Sequence, residues 1–307
     1  MFDNVTLKVY GLPKNYIPCE NVIIKFRTDV NTFKGNIGNM GIYKSLNCLI
    51  IHGSLAKYLK GENITPLNRG EVKQAIKKLE QDIGLDLKGA IVSSVEFGTS
   101  IAIKKKPSKY LNLFGYTKKL TRAEYSKWTR IETINYTSTT GSFEFTVYDK
   151  IREMFTKKQE IPPFYAGVNV LRLEYKIKKR RGIKNKFNGD LTAYNLFDEN
   201  IYKRFQELFF ETYKAIHKMG RLVYADKSKS ITPLLLIKLL AEQFRQSFPK
   251  DYRFFIQQLI ETGKITKRTI ERIRAENYRL GNSLYISEQS PLINELDAHI
   301  EIMMYGT

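Results

Sequence analysis

The chain has 307 residues, 42% of them hydrophobic, which suffices for one large domain or two modest ones with apolar cores. Its 51 Lys and Arg against 31 Asp and Glu give a formal net charge of +20, an excess that calls for an anionic partner and puts DNA or RNA first. A membrane-spanning role is not expected: the longest apolar run, residues 231–241, is too short to cross a bilayer and carries Lys238.

The opening MFDNVTLKVYG alternates like a strand and lacks a secretion-signal pattern, so the expected location is the cytoplasm. Cys19 and Cys48 lie in apolar stretches without CxxC spacing and read as buried apolar side chains, neither a disulfide framework nor a zinc site. The three histidines, His52, His217 and His299, form no His-x-His pair or HExxH helix, so any metal leans on carboxylates. No GxxxxGK(S/T) loop is present, which argues against ATP-driven helicase work.

In chain order, β-branched and aromatic residues predict strands over residues 5–10, 22–27, 42–51, 90–103, 129–137, 142–148 and 168–178. Ser54 is placed to cap a short helix after the strand that ends at His52. Val72, Ala75, Ile76, Leu79 and Ile83 recur at helical spacing behind a capping box of Asn68 and Glu71. Residues 138–141 form a turn-prone link that makes a hairpin delivering Tyr148 at the end of its second strand. From about residue 190 the pattern is helical, with candidates at 198–218, 231–247, 251–262 and 266–279 and no clear strand until the tail. The basic stretch KKRRGIKNKFNG, 178–189, reads as a loop and either as the boundary between domains 1–187 and 188–307 or as an arm lying on DNA.

Several segments carry candidate chemistry. In FEFTVYDKIREM, 143–154, Tyr148 is followed two positions later by Lys150, and a phenol attacking a phosphodiester benefits from a nearby cation and a metal. Glu96 interrupts the apolar strand IVSSVEFGTSIAI, where it is either a solvated residue or a ligand for Mg2+ or Mn2+. In NVLRLEYKIKK, Glu174 shares a face with Arg172, Lys176 and Lys178, and either pairs with those bases or is a second metal carboxylate. His52, with Lys57 in the helix that follows, is a further candidate for a metal or phosphate site.

Two basic blocks are candidate DNA contacts: Lys104, Lys105, Lys106, Lys109 and on to Arg130, then Arg172, Lys176, Lys178, Lys179, Arg180 and Arg181. Tyr110, Phe114, Tyr116, Tyr125 and Trp128 interleave with the first block, either as rings on which single-stranded bases can stack, the reading the charge favours, or as core residues beneath a solvated lysine face. ITKRTIERIRAENYRLG, 265–281, with Thr266 as N-cap, is similar to the recognition helix of a helix-turn-helix.

Taken in order, GSLAKYLKGEN (53–63), SSVEFGTSI (93–101), TVYDKIREM (146–154) and VLRLEYKIKKRRGIK (170–184) resemble the segments of filamentous-phage gene II replication proteins and related phage and plasmid initiators. That resemblance implies an α+β nicking domain of the HUH-endonuclease type with a central antiparallel sheet, followed by a mostly helical DNA-binding domain. It implies Tyr148 as nucleophile with Lys150 beside it, and Glu96 and Glu174, with His52, as ligands of Mg2+ or Mn2+. The implied reaction is strand-specific nicking in rolling-circle replication, through a 5′-phosphotyrosine and a free 3′-hydroxyl, with later rejoining. The implied partners are origin DNA and the host polymerase and helicase in a bacterial cytoplasm. Ser94 stands where that family has an arginine, Glu96 where it has Asp, and Glu62 where it has a histidine. Two rival readings are an origin binder that recruits host factors without cutting, and a mobilising relaxase, which usually relies on a histidine cluster that this sequence lacks.

Overall fold

A computed structural model of the chain describes residues 2–12, 16, 19–29, 32–45, 48–127, 130–218, 221–224, 240, 241, 244, 249–272 and 285–305. Ten strands form one antiparallel sheet in the order β2-β3-β4-β5-β1-β6-β10-β9-β8-β7. The strands are β1 Phe2–Tyr10, β2 Ile23–Asp29, β3 Thr32–Ile37, β4 Met40–Ser45, β5 Cys48–Ser54, β6 Ile91–Ile103, β7 Thr121–Lys127, β8 Arg130–Thr137, β9 Phe143–Asp149 and β10 Asn169–Ile177. Three of the four central strands, β1, β6 and β9, are more than half β-branched and aromatic residues, the composition a pleated, buried surface selects.

Period-2 alternation gives the central strands two unlike faces. Phe97, Phe145, Val147, Leu173 and Tyr175 are buried on one of them. Helices α6 (Glu199–Ala215) and α8 (Pro291–Tyr305) cover that face. Phe205 of α6 stacks on Phe97 at 5.7 Å, and Phe209 lies 5.3 Å from Phe145. The other face presents Glu96, Thr146, Tyr148, Arg172, Glu174 and Lys176, and across it run α1 (Leu55–Lys60) and α4 (Lys150–Thr156). The capping box of α2 (Arg69–Ile83) forms as expected: Asn68 accepts from Glu71 N, and Glu71 accepts from Asn68 N.

Some expectations change. The run 42–51 divides into β4 and β5, and the polar strands β3 and β7 carried no period-2 apolar signal. Residues 180–187 are helix α5 (Arg180–Phe187) and not a loop, because Lys and Arg are good helix formers and Ile183 buries itself in the core. The core continues past the expected boundary at 187/188: Phe205, Leu208, Ile293, Leu296 and Ile300 join the residues of the sheet in it. Strands β11 (Arg221–Tyr224) and β12 (Tyr285–Glu288) pair within the stretch read as helical. Helix α7 (Pro249–Glu261) matches the 251–262 candidate, and Thr266 caps the turn after it through Thr269 N. Most of the 231–247 candidate, and residues 273–279 of the last one, lie outside the described residues. Cys19 is exposed and Cys48 half-buried, so neither is a core side chain. No helix among the described residues is long and apolar enough to cross a membrane.

Candidate active site

Four adjacent strands bring the candidate residues together: Asp3 from β1, Glu96 from β6, Glu174 from β10 and Tyr148 from β9. The β1–β6 pairing is irregular between Phe2 and Val5, which is where Asp3 leaves the ladder. Asp3, Glu96 and Glu174 are all buried, and one carboxylate oxygen from each lies within 4.8 Å of the others. The Tyr148 hydroxyl donates to Glu174 Oε1 at 2.7 Å. Just after it, Asp149 caps α4 by accepting from Arg152 N, which turns the chain and puts Lys150 over the site, with Nζ 6.0 Å from the Tyr148 ring centre.

Two cations hold the carboxylates. Arg172 is 1% exposed and reaches Asp3 Oδ2 at 3.2 Å, Glu174 Oε1 at 3.2 Å, Ser100 Oγ at 3.0 Å and the Asn63 carbonyl at 3.3 Å. Lys176 Nζ lies 2.9 Å from Glu174 Oε2 and 3.1 Å from Glu96 Oε2. Asn63 donates to Asp3 Oδ2 at 2.9 Å and accepts from Lys150 Nζ at 3.1 Å, and Ser54, the cap of α1, donates to Asp3 Oδ1. The short helix α1 and the loop after it therefore serve to seat Asp3.

Three acids against two bases leave one proton to place. Burial, then the neighbouring Glu174 charge, pushes Glu96 from an ordinary 4.5 up to about 8. Burial also opposes ionisation of Glu174, but Lys176 and Arg172 outweigh it and hold that carboxyl at about 2. Tyr148 is pushed well above 10, by burial first and then by the Glu174 charge, so its hydroxyl is protonated at neutral pH.

These shifts have opposite effects on folding. Between about 4.5 and 8 the folded chain keeps a proton on Glu96 that the unfolded chain has released, so stability falls as pH rises through that window. Glu174 contributes stability above about 4.5 that is lost as pH falls toward 2. In EDTA, the urea midpoint is expected to peak near pH 5 and decline toward pH 8; a flat profile across that range would contradict the shared-proton arrangement.

The β6–β10 approach that joins Glu96 to Glu174 needs Gly98, which lies opposite Glu174. A Cβ there would sit 2.3 Å from the Leu173 carbonyl oxygen and 3.0 Å from Glu174 Cα. Gly98→Ala is therefore expected to lower stability by about 1–3 kcal/mol, seen as a lower urea midpoint, because backbone must shift to admit the methyl group.

His52 stands apart from the carboxylate group: it is exposed on β5, opposite Thr6 and Gly41, and the third member of the buried group is Asp3. Arg172, read as a DNA contact, is sealed among carboxylates, and Lys176 is half-buried against them. Lys57 is half-buried on α1 and lines a cavity with Lys60 and Asn63. Lys104, Lys105 and Lys106 are exposed just past the end of β6, Lys109 is exposed on the short helix α3 (Pro107–Leu111), and Arg130 is exposed at the start of β8. Beyond β10, Lys178, Lys179 and Arg181 are exposed, while Arg180 is half-buried in an ion pair with Asp190 at 2.6 Å. Tyr110 and Phe114 are core and offer no stacking face; Tyr125 is 61% exposed, and Trp128 lies outside the described residues. Asp3 escaped the sequence reading, although an acid beside Phe2 and Val5 in a strand is the same signal that marked Glu96.

The donor set fits a hard divalent cation: three carboxylates, with no thiol or imidazole among them. Among the described residues this is the group of three or more acids, histidines or cysteines able to hold a metal. No curated protein matches the chain. A solved structure of a rolling circle replication initiator protein from Geobacillus stearothermophilus is similar with a TM-score of 0.42 and 11% identity, covering 79% of this chain and 95% of that one. The model of the Phage CRI family, described as the N-terminal part of a replication-associated protein, matches residues 1–194, from Asp3 through β10 and α5, and the chain that builds this four-strand site belongs to that family.

Proposed function

We propose that the protein starts rolling-circle replication by nicking one DNA strand at an origin, with Tyr148 as the nucleophile. The observation that carries this reading is the Tyr148 hydroxyl held 2.7 Å from Glu174 within a buried three-carboxylate group, in a chain of a replication-associated family. A phenol that is protonated at neutral pH must lose its proton as it attacks; the hydrogen bond to Glu174 Oε1 orients the hydroxyl, and that carboxylate, too weak a base to keep the proton, can only pass it on to solvent. The Tyr148 oxygen bonds to phosphorus and its proton passes by way of Glu174 to solvent, while the bond from phosphorus to the 3′-oxygen breaks and that oxygen takes a proton from water to leave as a 3′-hydroxyl. Reversal rejoins the strand, since the phosphotyrosine keeps the bond energy.

Lys176 and Arg172 keep Glu174 ionised, as an acceptor that orients the Tyr148 hydroxyl. Lys150, fixed by Glu153 at 2.9 Å and by Asn63, is placed to offset charge on the phosphate. A Mg2+ or Mn2+ held by Asp3, Glu96 and Glu174 would supply further neutralisation of the phosphate charge. The exposed lysines past β6 and past β10, with Arg130, Arg181 and Lys57, support DNA contacts on both sides of the site. The liberated 3′-hydroxyl is a primer for a host polymerase, working with a host helicase.

The test is incubation with supercoiled DNA carrying the element's own origin, with Mg2+, with Mn2+ or with EDTA. Open-circular DNA with protein on its 5′ end, formed with metal and not with EDTA, is the expected result. DNA that is bound yet stays supercoiled would instead identify an origin binder without chemistry.

A further inference from the structure

The sheet face that carries Tyr148 continues past it to β7, a part that the chemistry above leaves unused. Pairing sets Tyr125 of β7 opposite Thr133 of β8, and Thr133 opposite Tyr148 of β9, so the three share one row and one face. Tyr125 is two strand spacings from Tyr148, about 10 Å. The next row runs Ala123, Asn135, Thr146, Glu174. Thr133, Asn135, Thr146, Tyr148 and Glu174 together line a cavity of ≈ 240 Å³.

Two features point to a ligand, one inside this cavity and one beside it on the same sheet face. Asn135 Oδ1 is buried with no hydrogen-bond partner, and a buried amide oxygen left unpaired is unfavourable unless something else supplies a donor. Tyr125, in a strand otherwise polar or small, is 61% exposed where a ring gains nothing from the core. The chemistry favours an uncharged occupant. Glu144, Glu153, Lys157 and Lys176 also line the cavity, but the two lysines are already paired with carboxylates, Lys157 with Glu153 and Lys176 with Glu174, and so are not free to hold a phosphate. An amide and two threonine hydroxyls beside the Tyr125 ring instead suit a planar base with polar edges. The net charge of +20 favours a nucleic acid as the source of that base.

We infer that this cavity takes a nucleobase of the single DNA strand next to the scissile phosphate, stacked on Tyr125 and read along its edge by Asn135; the inference rests on the nicking reading. Tyr125 and Asn135 are positioning and specificity residues, set beside the nucleophile by strand register.

The experiment has two readouts. Binding of a fluorescent single-stranded origin oligonucleotide is measured in the Tyr148→Phe background, where the strand stays uncut, with Tyr125→Ala or Asn135→Ala added. Nicking by chains that keep Tyr148 is measured on oligonucleotides bearing each of the four bases on either side of the nick. Tyr125→Ala is expected to weaken binding roughly 5- to 150-fold, the range for losing one base–ring stack. Asn135→Ala is expected to level the base preference at one flanking position by a similar factor. Both variants should melt like their parent, since one removes an exposed ring and the other an unpaired oxygen. Unchanged binding for Tyr125→Ala together with an unchanged base preference for Asn135→Ala overturns the subsite. Because binding is read on an uncut strand, an absence of nicking would count against the nicking reading alone, and the binding ratios would still decide the subsite.

Discussion

Tyr148→Phe is expected to fold, to bind origin DNA as the parent does, and to leave that DNA uncut, with nicking reduced by at least about 10⁴-fold, the scale for removing a covalent nucleophile. Phenylalanine keeps the ring that fills the space between β9 and α4 and removes only the hydroxyl. Glu174 Oε1 then still accepts from Arg172 Nε at 3.2 Å, and Oε2 from Lys176, so the carboxylate is not left unpaired. The folding cost is accordingly about 1 kcal/mol or less. A second substitution tests whether any buried tyrosine would have the same effect. Tyr136 lies on the helix-covered face, where its hydroxyl donates to the Gly115 carbonyl at 2.6 Å, and it does not line the cavity beside Tyr148. Tyr136→Phe should therefore retain nicking. Supercoiled-to-open-circle conversion, with trapping of the protein on the 5′ end, reads both variants, and continued nicking by Tyr148→Phe would remove this residue from the mechanism.

Much of the sheet was legible because β1, β6, β9 and β10 announce themselves by alternating or apolar runs, and α2 by a capping box with helical spacing behind it. Glu96 and Glu174 were legible for a related reason, as acids set in strands whose other residues demand burial. What failed was partner assignment. A charge pattern along one strand does not say what the neighbouring strand presents, so Arg172 read as a DNA contact when Asp3 of β1 and Glu174 enclose it. Asp3 was missed because the expected strand began at residue 5, whereas β1 begins at Phe2 and takes in Asp3 just before the irregularity in the β1–β6 ladder. The pairing of Tyr125 with Thr133 was hidden too, since a polar edge strand such as β7 carries no apolar rhythm to fix its register.

Arg172→Ala is expected to be the most damaging single change to folding, by about 3–5 kcal/mol, because it strips the charge partner from carboxylates that stay buried. Asp3 would keep only Asn63 and Ser54, and Glu174 only Lys176 and Tyr148. Against a typical total of about 5–15 kcal/mol, that loss brings the chain close to unfolding, visible as a collapse of the urea midpoint. Adding Asp3→Asn to Arg172→Ala should recover part of the loss, since it removes one of the stranded charges; no recovery would mean that the guanidinium acts through packing and not through charge. Arg172→Lys separates this role from DNA contact. It keeps the charge but not the fork that spans Asp3, Glu174, Ser100 and Asn63, so it should lose stability in part while retaining DNA affinity. Replacing the exposed Lys104, Lys105 and Lys106 together by alanine should do the reverse: near-parental stability, weaker DNA binding and a shallower dependence of affinity on salt. If Arg172→Lys instead lost DNA binding without losing stability, the buried charge network would have to be read as part of the DNA surface.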